Sequence, residues 1–141
     1  MGVDIVQFDA TNAPSIIHVR TEVFVKEQGI DSEIDFDGLD EVATHVLVSV
    51  GDKPVATGRI LDDGHIGRIG VLKSFRRQGL GVKVVEALVK EAKKKKYKRV
   101  YLGSQIHATE FYEKLGFNVC GEVFMDAGLE HIEMEMEMIL S

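Results

Sequence analysis

The residues best suited to chemistry in this 141-residue chain are Arg76-Arg77-Gln78-Gly79-Leu80-Gly81. They lie between a strand-like apolar run, Ile66 to Leu72, and a helix-like amphipathic run, Gly79 to Lys95. Two glycines therefore fall where a helix begins. The first N–H groups of a helix have no partner inside it, and the helix dipole adds partial positive charge there. Glycine lets a bulky anion approach the backbone, and arginine supplies a fixed charge with forked donors. The chemistry this predicts is a grip on phosphate groups.

The elements that must position this loop are legible on both sides of it. Val3 to Phe8 reads as a strand. Thr11 or Asn12 is placed to cap a helix with Pro14 in its first turn. That helix is expected to bury Ile16, Ile17, Val19, Val23 and Phe24 and to stop near Gln28-Gly29. Residues 31 to 41 read as an acidic loop. Ala43 to Val50 and Pro54 to Leu61 form a hairpin pattern around Gly51-Asp52-Lys53, and His65 to Leu72 is the next strand. After the loop, Leu80, Val84, Ala87, Leu88 and Ala92 give the long helix an inward stripe. A strand at Arg99 to Gly103, a helix at Thr109 to Leu115 and strand at Phe117 to Phe124 follow. The end alternates strictly from His131 to Met138, with Ile132, Met134, Met136 and Met138 facing a core. The step across Arg76 is a parallel crossover, whereas the central strands are antiparallel. The fold class predicted is mixed α/β, one domain over residues 1–141 with helices on the faces of a sheet.

Composition narrows the function. Hydrophobic residues make up 45% and charged residues 28%, as in a globular chain. A net charge of −6 argues against nucleic acid as a partner. The basic run Lys90 to Arg99 reads as a solvated helix end. No apolar run approaches the ~20 residues that span a bilayer, and Met1 to Ile5 has no basic segment leading into an apolar core. A cytoplasmic protein with no membrane partner is expected, either monomer or homodimer. The single cysteine, Cys120, excludes an internal disulfide and a cysteine-rich metal site, and its apolar neighbours predict a buried, inert thiol. Glu33-x-Asp35-x-Asp37-Gly38 resembles half of a calcium loop, but Thr44 stands at the twelfth position and a strand follows. No metal is expected. These carboxylates either steer a cationic substrate or form a solvated loop.

Arg76 to Gly81 also resembles the acetyl-CoA loop of the GNAT-type N-acetyltransferases, Gln/Arg-x-x-Gly-x-Gly/Ala, at the start of that family's long helix. Ala108-Thr109-Glu110-Phe111-Tyr112-Glu113-Lys114-Leu115-Gly116-Phe117 is similar to the family's second signature, Ala-x-x-x-Tyr-x-x-x-Gly-Phe. Arg20 to Gln28, Asp37-Gly38-Leu39-Asp40 and Gly128 to Met134 resemble the ElaA/YjcF-like branch. The resemblance implies a GNAT-like acyl-CoA N-acyltransferase fold. Its central sheet would be mixed and mostly antiparallel, with about six or seven strands and about four flanking helices.

The same resemblance implies an enzyme that uses acetyl-CoA as co-substrate and acetylates an amine of a small-molecule or peptide acceptor. An alternative is a non-catalytic acyl-CoA-binding or sensing domain. The pyrophosphate would lie on N–H groups from Arg77 through Gln78, Gly79, Leu80 and Gly81 to Val82, with Arg76 beside them. Main-chain groups near Ile69, Gly70 and Val71 would pair with the pantetheine arm, and Val71 N–H is the candidate donor to the thioester carbonyl. Gln105, seven residues before Tyr112, stands where many relatives carry Asn. Tyr112 matches the family's general acid. The base is open between His131, Glu27, His107 and a water chain, His131 having the most suitable titration range. Arg20, Glu27, Gln28 and Arg59 fall in the region that lines the acceptor side in the family.

Overall fold

The computed structural model describes residues 1–138. Its elements are β1 (Gly2–Val6), α1 (Ala13–Arg20), α2 (Ser32–Asp35), β2 (Thr44–Val50), β3 (Lys53–Ile60) and β4 (Ile66–Val71). They continue as α3 (Leu80–Lys94), β5 (Arg99–Gln105), α4 (Thr109–Lys114), β6 (Asn118–Asp126) and β7 (Leu129–Glu137). The mixed α/β architecture is present, with one change in how the strands associate. They divide into two antiparallel sheets, β1-β2-β3-β4 and β5-β7-β6. The parallel contact expected across the phosphate loop shrinks to a single bridge between His65 and Tyr101. There Tyr101 N–H donates to the Gly64 carbonyl at 3.0 Å. A Cβ on Gly64 would lie 2.3 Å from the Arg99 carbonyl oxygen, so only glycine fits at this vertex.

Beyond the vertex β4 and β5 part. Thr57 pairs with Gly70 while Arg59 pairs with Gly67, so β4 carries one extra residue. Arg68 accommodates it at φ +52. A bulge of this kind bends its strand and sharpens the local twist. Periodicity gives no warning of it, because the extra residue is a charged one within an otherwise regular run.

The helices cover opposite faces of the first sheet. Val46 and Val48 join the core with Leu80, Val84, Val85, Leu88 and Ala92 of α3. The predicted stripe is thus largely the observed one, and each large apolar side chain so buried contributes roughly 1.5–3 kcal/mol. A Cβ at Gly58 would meet Val84 Cγ1 at 2.6 Å, so α3 lies tight on β3. Met134 is fully buried against the same core, with Ile132 and Met136 packed on it.

Alternation turns His45 and Leu47 toward the α1 face. Ile16, Val19 and Val23 are buried there, but Ile17 is exposed. Asn12 occupies the cap position without a capping side-chain bond. Asp9 does the capping, accepting from the N–H groups of Thr11 at 3.1 Å and Asn12 at 2.8 Å. The helix runs on as a π-helical turn, Thr21–Glu27. This wider turn closes with Gln28 N–H on Val23 C=O at 3.2 Å and carries Phe24 and Gln28 toward the gap beside β4.

Candidate active site

The segment before α3 turns sharply at two residues. Arg77 and Gly79 both take left-handed conformations, φ +64 and +78. A left-handed arginine is strained and marks a position held by its surroundings. The first bond onto the new helix is Lys83 N–H to Gly79 C=O at 3.2 Å. The N–H groups of Arg77 through Val82 therefore have no main-chain acceptor among the described residues. Successive unpartnered N–H groups at a helix start form a concave anion site. Gly81 faces Phe111, which a Cβ would meet at 3.4 Å, so the loop and α4 are in contact range.

Arg76 is placed differently. Its terminal nitrogens grip both Glu27 oxygens, and its Nε donates to the Val71 carbonyl at 3.0 Å. The guanidinium clamps the π-helical turn to the end of β4. Glu27 is thereby occupied as well, and this hydrogen-bonded pairing holds its pKa below the ordinary value. Glu27 does not line the cleft between the sheets.

That cleft, of about 280 Å³, opens where β4 and β5 part. Gln28, Ile69, Gln105, Tyr112 and His131 all line it, together with Asp35, His65, Arg68 and Leu129. Gly70 and Val71 do not. Leu72 N–H donates inward to the Val55 carbonyl at 2.8 Å, so strand alternation turns Val71 N–H to the open edge. Tyr112 is half-buried, packed edge-on between Phe111 and Phe117. Burial pushes its hydroxyl up to about 12, so it keeps its proton at neutral pH. His131 is 9% exposed and stacks on Phe124. Its Nδ1 lies 2.9 Å from the Leu129 carbonyl. A carbonyl only accepts, so Nδ1 carries the proton and neutral His131 keeps its lone pair on Nε2.

Several sequence expectations move. Arg59 is 4% exposed and absent from the cleft lining, because it binds Asp37 at 2.6 and 2.9 Å and Asp40 at 2.9 Å. The acidic segment is only partly a solvated loop, with Asp31, Glu33, Asp37 and Glu41 exposed. Asp35 and Asp40 are buried and joined to Arg20, Arg59 and Arg68 in one ionic cluster with Asp37. The Arg59 hydrogen bonds hold Asp37 far below the usual carboxylate range, while burial pushes Asp35 up. Calcium-like spacing thus serves guanidiniums, and no group of three His, Cys, Asp or Glu side chains suited to a metal occurs among the described residues. Cys120 is exposed rather than buried. Local desolvation and the Glu133 carboxylate 3.3 Å away push its thiol up to about 11. His107 is exposed and outside the cleft. His65 reads from the sequence only as a strand residue. It lines the cleft, stacked on Tyr101, and burial lowers its pKa. Its place at the vertex depends on the sheets parting, which no local pattern announces.

A helix start with unpartnered N–H groups thus lies near a cleft lined by Tyr112 and His131. A family model for the GNAT acetyltransferase domain matches residues 13–138, and the chain belongs to that family. It is 41% identical over 121 residues to the uncharacterized N-acetyltransferase YjcF of Bacillus subtilis, spanning 83% of this chain and 86% of that protein. The crystal structure of Escherichia coli ElaA matches with a TM-score of 0.89 and 27% identity over 97% of this chain and 100% of ElaA. An acyl-CoA N-acyltransferase from Pseudomonas aeruginosa matches with 0.87 and 28% over 96% and 99%. The fold is the GNAT acyl-CoA N-acyltransferase fold, and the likeness to the ElaA/YjcF-like branch holds. No helix among the described residues is long and apolar enough to cross a membrane.

Proposed function

We propose that this chain is an acetyl-CoA-dependent N-acetyltransferase that moves acetyl directly to the amine of a small-molecule or peptide acceptor. The observation that carries this reading is the run of unpartnered N–H groups from Arg77 to Val82 close to a cleft holding a protonated phenol. The loop N–H groups would hold the pyrophosphate of the donor, whose thioester supplies an activated acyl carbon. Arg76 contributes by bracing the loop against Glu27 rather than by touching phosphate. Open-edge groups of Ile69 and Val71 would pair with the pantetheine arm. Val71 N–H is suited to donate to the carbonyl oxygen as negative charge grows there. His131 Nε2 accepts a proton from the attacking amine, and Tyr112 donates one to the leaving thiolate. Gln105, opposite His131 on the neighbouring strand, offers an amide to the same space.

Calorimetry with CoA and acetyl-CoA tests the donor site, and no binding at millimolar ligand sinks the reading. Thiol release across an amine panel tests turnover. The His131→Gln variant is expected to lose kcat by about a hundredfold or more while holding acetyl-CoA as before. Tight binding with no turnover on any acceptor would point to an acyl-CoA-sensing domain instead.

A further inference from the structure

We propose that the acceptor carries a carboxylate as well as its amine, as an amino acid does, and that Arg68 Nη1 binds that carboxylate. This rests on the acetyl-transfer reading and adds the chemical class of the acceptor. The feature behind it is a guanidinium fixed through two of its nitrogens and free at the third.

Three hydrogen bonds fix the Arg68 head group. Nε donates to the Asp35 carbonyl at 3.0 Å, and Nη2 to the Ile34 carbonyl at 3.2 Å and to Asp37 at 3.3 Å. Nη1 has no acceptor among the described residues. Only Arg99 Nε is both buried and unpartnered among them, so Nη1 is open to solvent. The side chain is 25% exposed and lines the cleft that His131 also lines. A donor already held in place loses little freedom when an anion arrives, and its charge strengthens the bond.

The surroundings do not cancel this charge. Asp35 is shared with Arg20 at 3.2 Å, and Asp37 with Arg59 at 2.6 Å. Burial, and after it repulsion by Arg59, lowers the Arg68 pKa. The guanidinium stays charged at neutral pH all the same, and an anion at Nη1 would offset the repulsion. The backbone supplies an independent observation. Arg68 sits at φ +52, which glycine adopts freely and arginine only under strain. The chain bears that strain for a side chain that glycine cannot supply.

The position also keeps acceptor and donor apart. The donor arm, on the reading above, comes from the loop after β4 and pairs with Val71 and Ile69. Arg68 lies past Ile69, toward the vertex. Its head group reaches Ile34 and Asp35 of α2, in a cluster with Arg20 of α1. α3 and the loop at its start pack on the opposite face of the first sheet. Carboxylate and donor arm thus approach from different faces, and the amine lies at His131.

Calorimetry on the full chain, with and without saturating CoA, compares amines that differ only by a carboxylate. The pairs are L-leucine with 3-methylbutylamine, 4-aminobutanoate with propylamine, and 6-aminohexanoate with pentylamine, so the separation of amine and carboxylate varies. CoA lacks the acetyl group, so no reaction intervenes. In at least one pair the carboxylate member is expected to bind about tenfold more tightly, or better. Arg68→Gln should remove that preference, weakening the carboxylate member about tenfold and leaving its partner amine and CoA as before. A purely structural role for Arg68 would weaken both members alike. Equal affinities within every pair, a reversed preference, no binding of any amine, or a preference that survives Arg68→Gln overturns the proposal. Should Arg68→Gln fail to fold, Arg68→Lys decides. It keeps the charge on a shorter reach and is expected to lower the preference about threefold, and an unchanged preference there is equally fatal. Absence of CoA binding by the unaltered chain would instead remove the acetyl-transfer reading, while the amine titration without CoA still answers for Arg68.

Discussion

At the scale of single residues, burial and neighbouring charge set how firmly a group holds its proton. Tyr112 is held protonated by burial, with a pKa of about 12. Tyr112→Phe is therefore expected to lower kcat by about a hundredfold or more, with little change in KM for acetyl-CoA, in a thiol-release assay. The sign of the pH effect follows. A phenol with a raised pKa stays in its donating form as pH climbs, so any alkaline fall in rate near pH 9 would belong to another group. Cys120 makes the opposite case. Its thiol, at about 11, is almost wholly protonated near neutrality. Cys120→Ser should leave turnover unchanged, and alkylation of Cys120 by iodoacetamide at pH 7.5 should be slower than that of a free thiol. The sequence suggests a buried cysteine, and the structure exposes it, because β6 is an edge strand exposed along its length.

At the scale of elements, one glycine sets the start of α3 and one close approach sets its seat on the sheet. Gly79 sits at φ +78 with open space around it, so its need is conformational. Gly79→Ala should cost about 1–2 kcal/mol of stability and weaken acetyl-CoA binding, read by denaturant unfolding and calorimetry. Gly58→Val would force α3 away from β3 and should destabilise by more than that. The loop, the α3 stripe and the methionine strand were legible because each rests on local spacing. The β4 bulge and the π-helical turn were not. Each adds one residue to a repeat, and the reward for doing so lies in contacts distant along the chain. Arg68 at the bulge reaches the carbonyl of Asp35, thirty-three residues away. Gly70 lies against Val23 and Phe24, which a Cβ would meet at 3.3 and 3.4 Å. The same distance effect hid the role of Arg59 and Glu27, whose partners Asp37 and Arg76 no spacing rule connects.

At the scale of the whole molecule, the buried ionic cluster ties the acidic segment to both α1 and the first sheet. Asp40 accepts from Arg20 and from Arg59. Asp40→Asn leaves two guanidiniums short of a charge and should cost about 3–5 kcal/mol in urea unfolding. His45, 1% exposed beside this cluster, has its pKa lowered chiefly by burial. The unfolded imidazole binds its proton at about pH 6.5, whereas the native one waits for lower pH. Stability should therefore fall as pH drops below about 6.5, by at most about 1.4 kcal/mol per unit for each such histidine. His65 acts with the same sign. Thermal unfolding followed from pH 7.5 to 5 should show a shallower decline in His45→Gln.

The vertex where Tyr101 N–H meets the Gly64 carbonyl has a further consequence in solution. Because that amide points toward β4, strand alternation aims Gly103 N–H the same way, into the gap, while Leu102 and Ser104 point to β7. Deuterium exchange along β5 should thus alternate residue by residue, Gly103 exchanging quickly between two slow neighbours. Val71 should be fast beside a slow Leu72. A molecule lying lengthwise in the gap and pairing with both edges would slow those fast amides and leave their neighbours as they were. The exchange record would then trace the path of the bound arm, one backbone amide at a time.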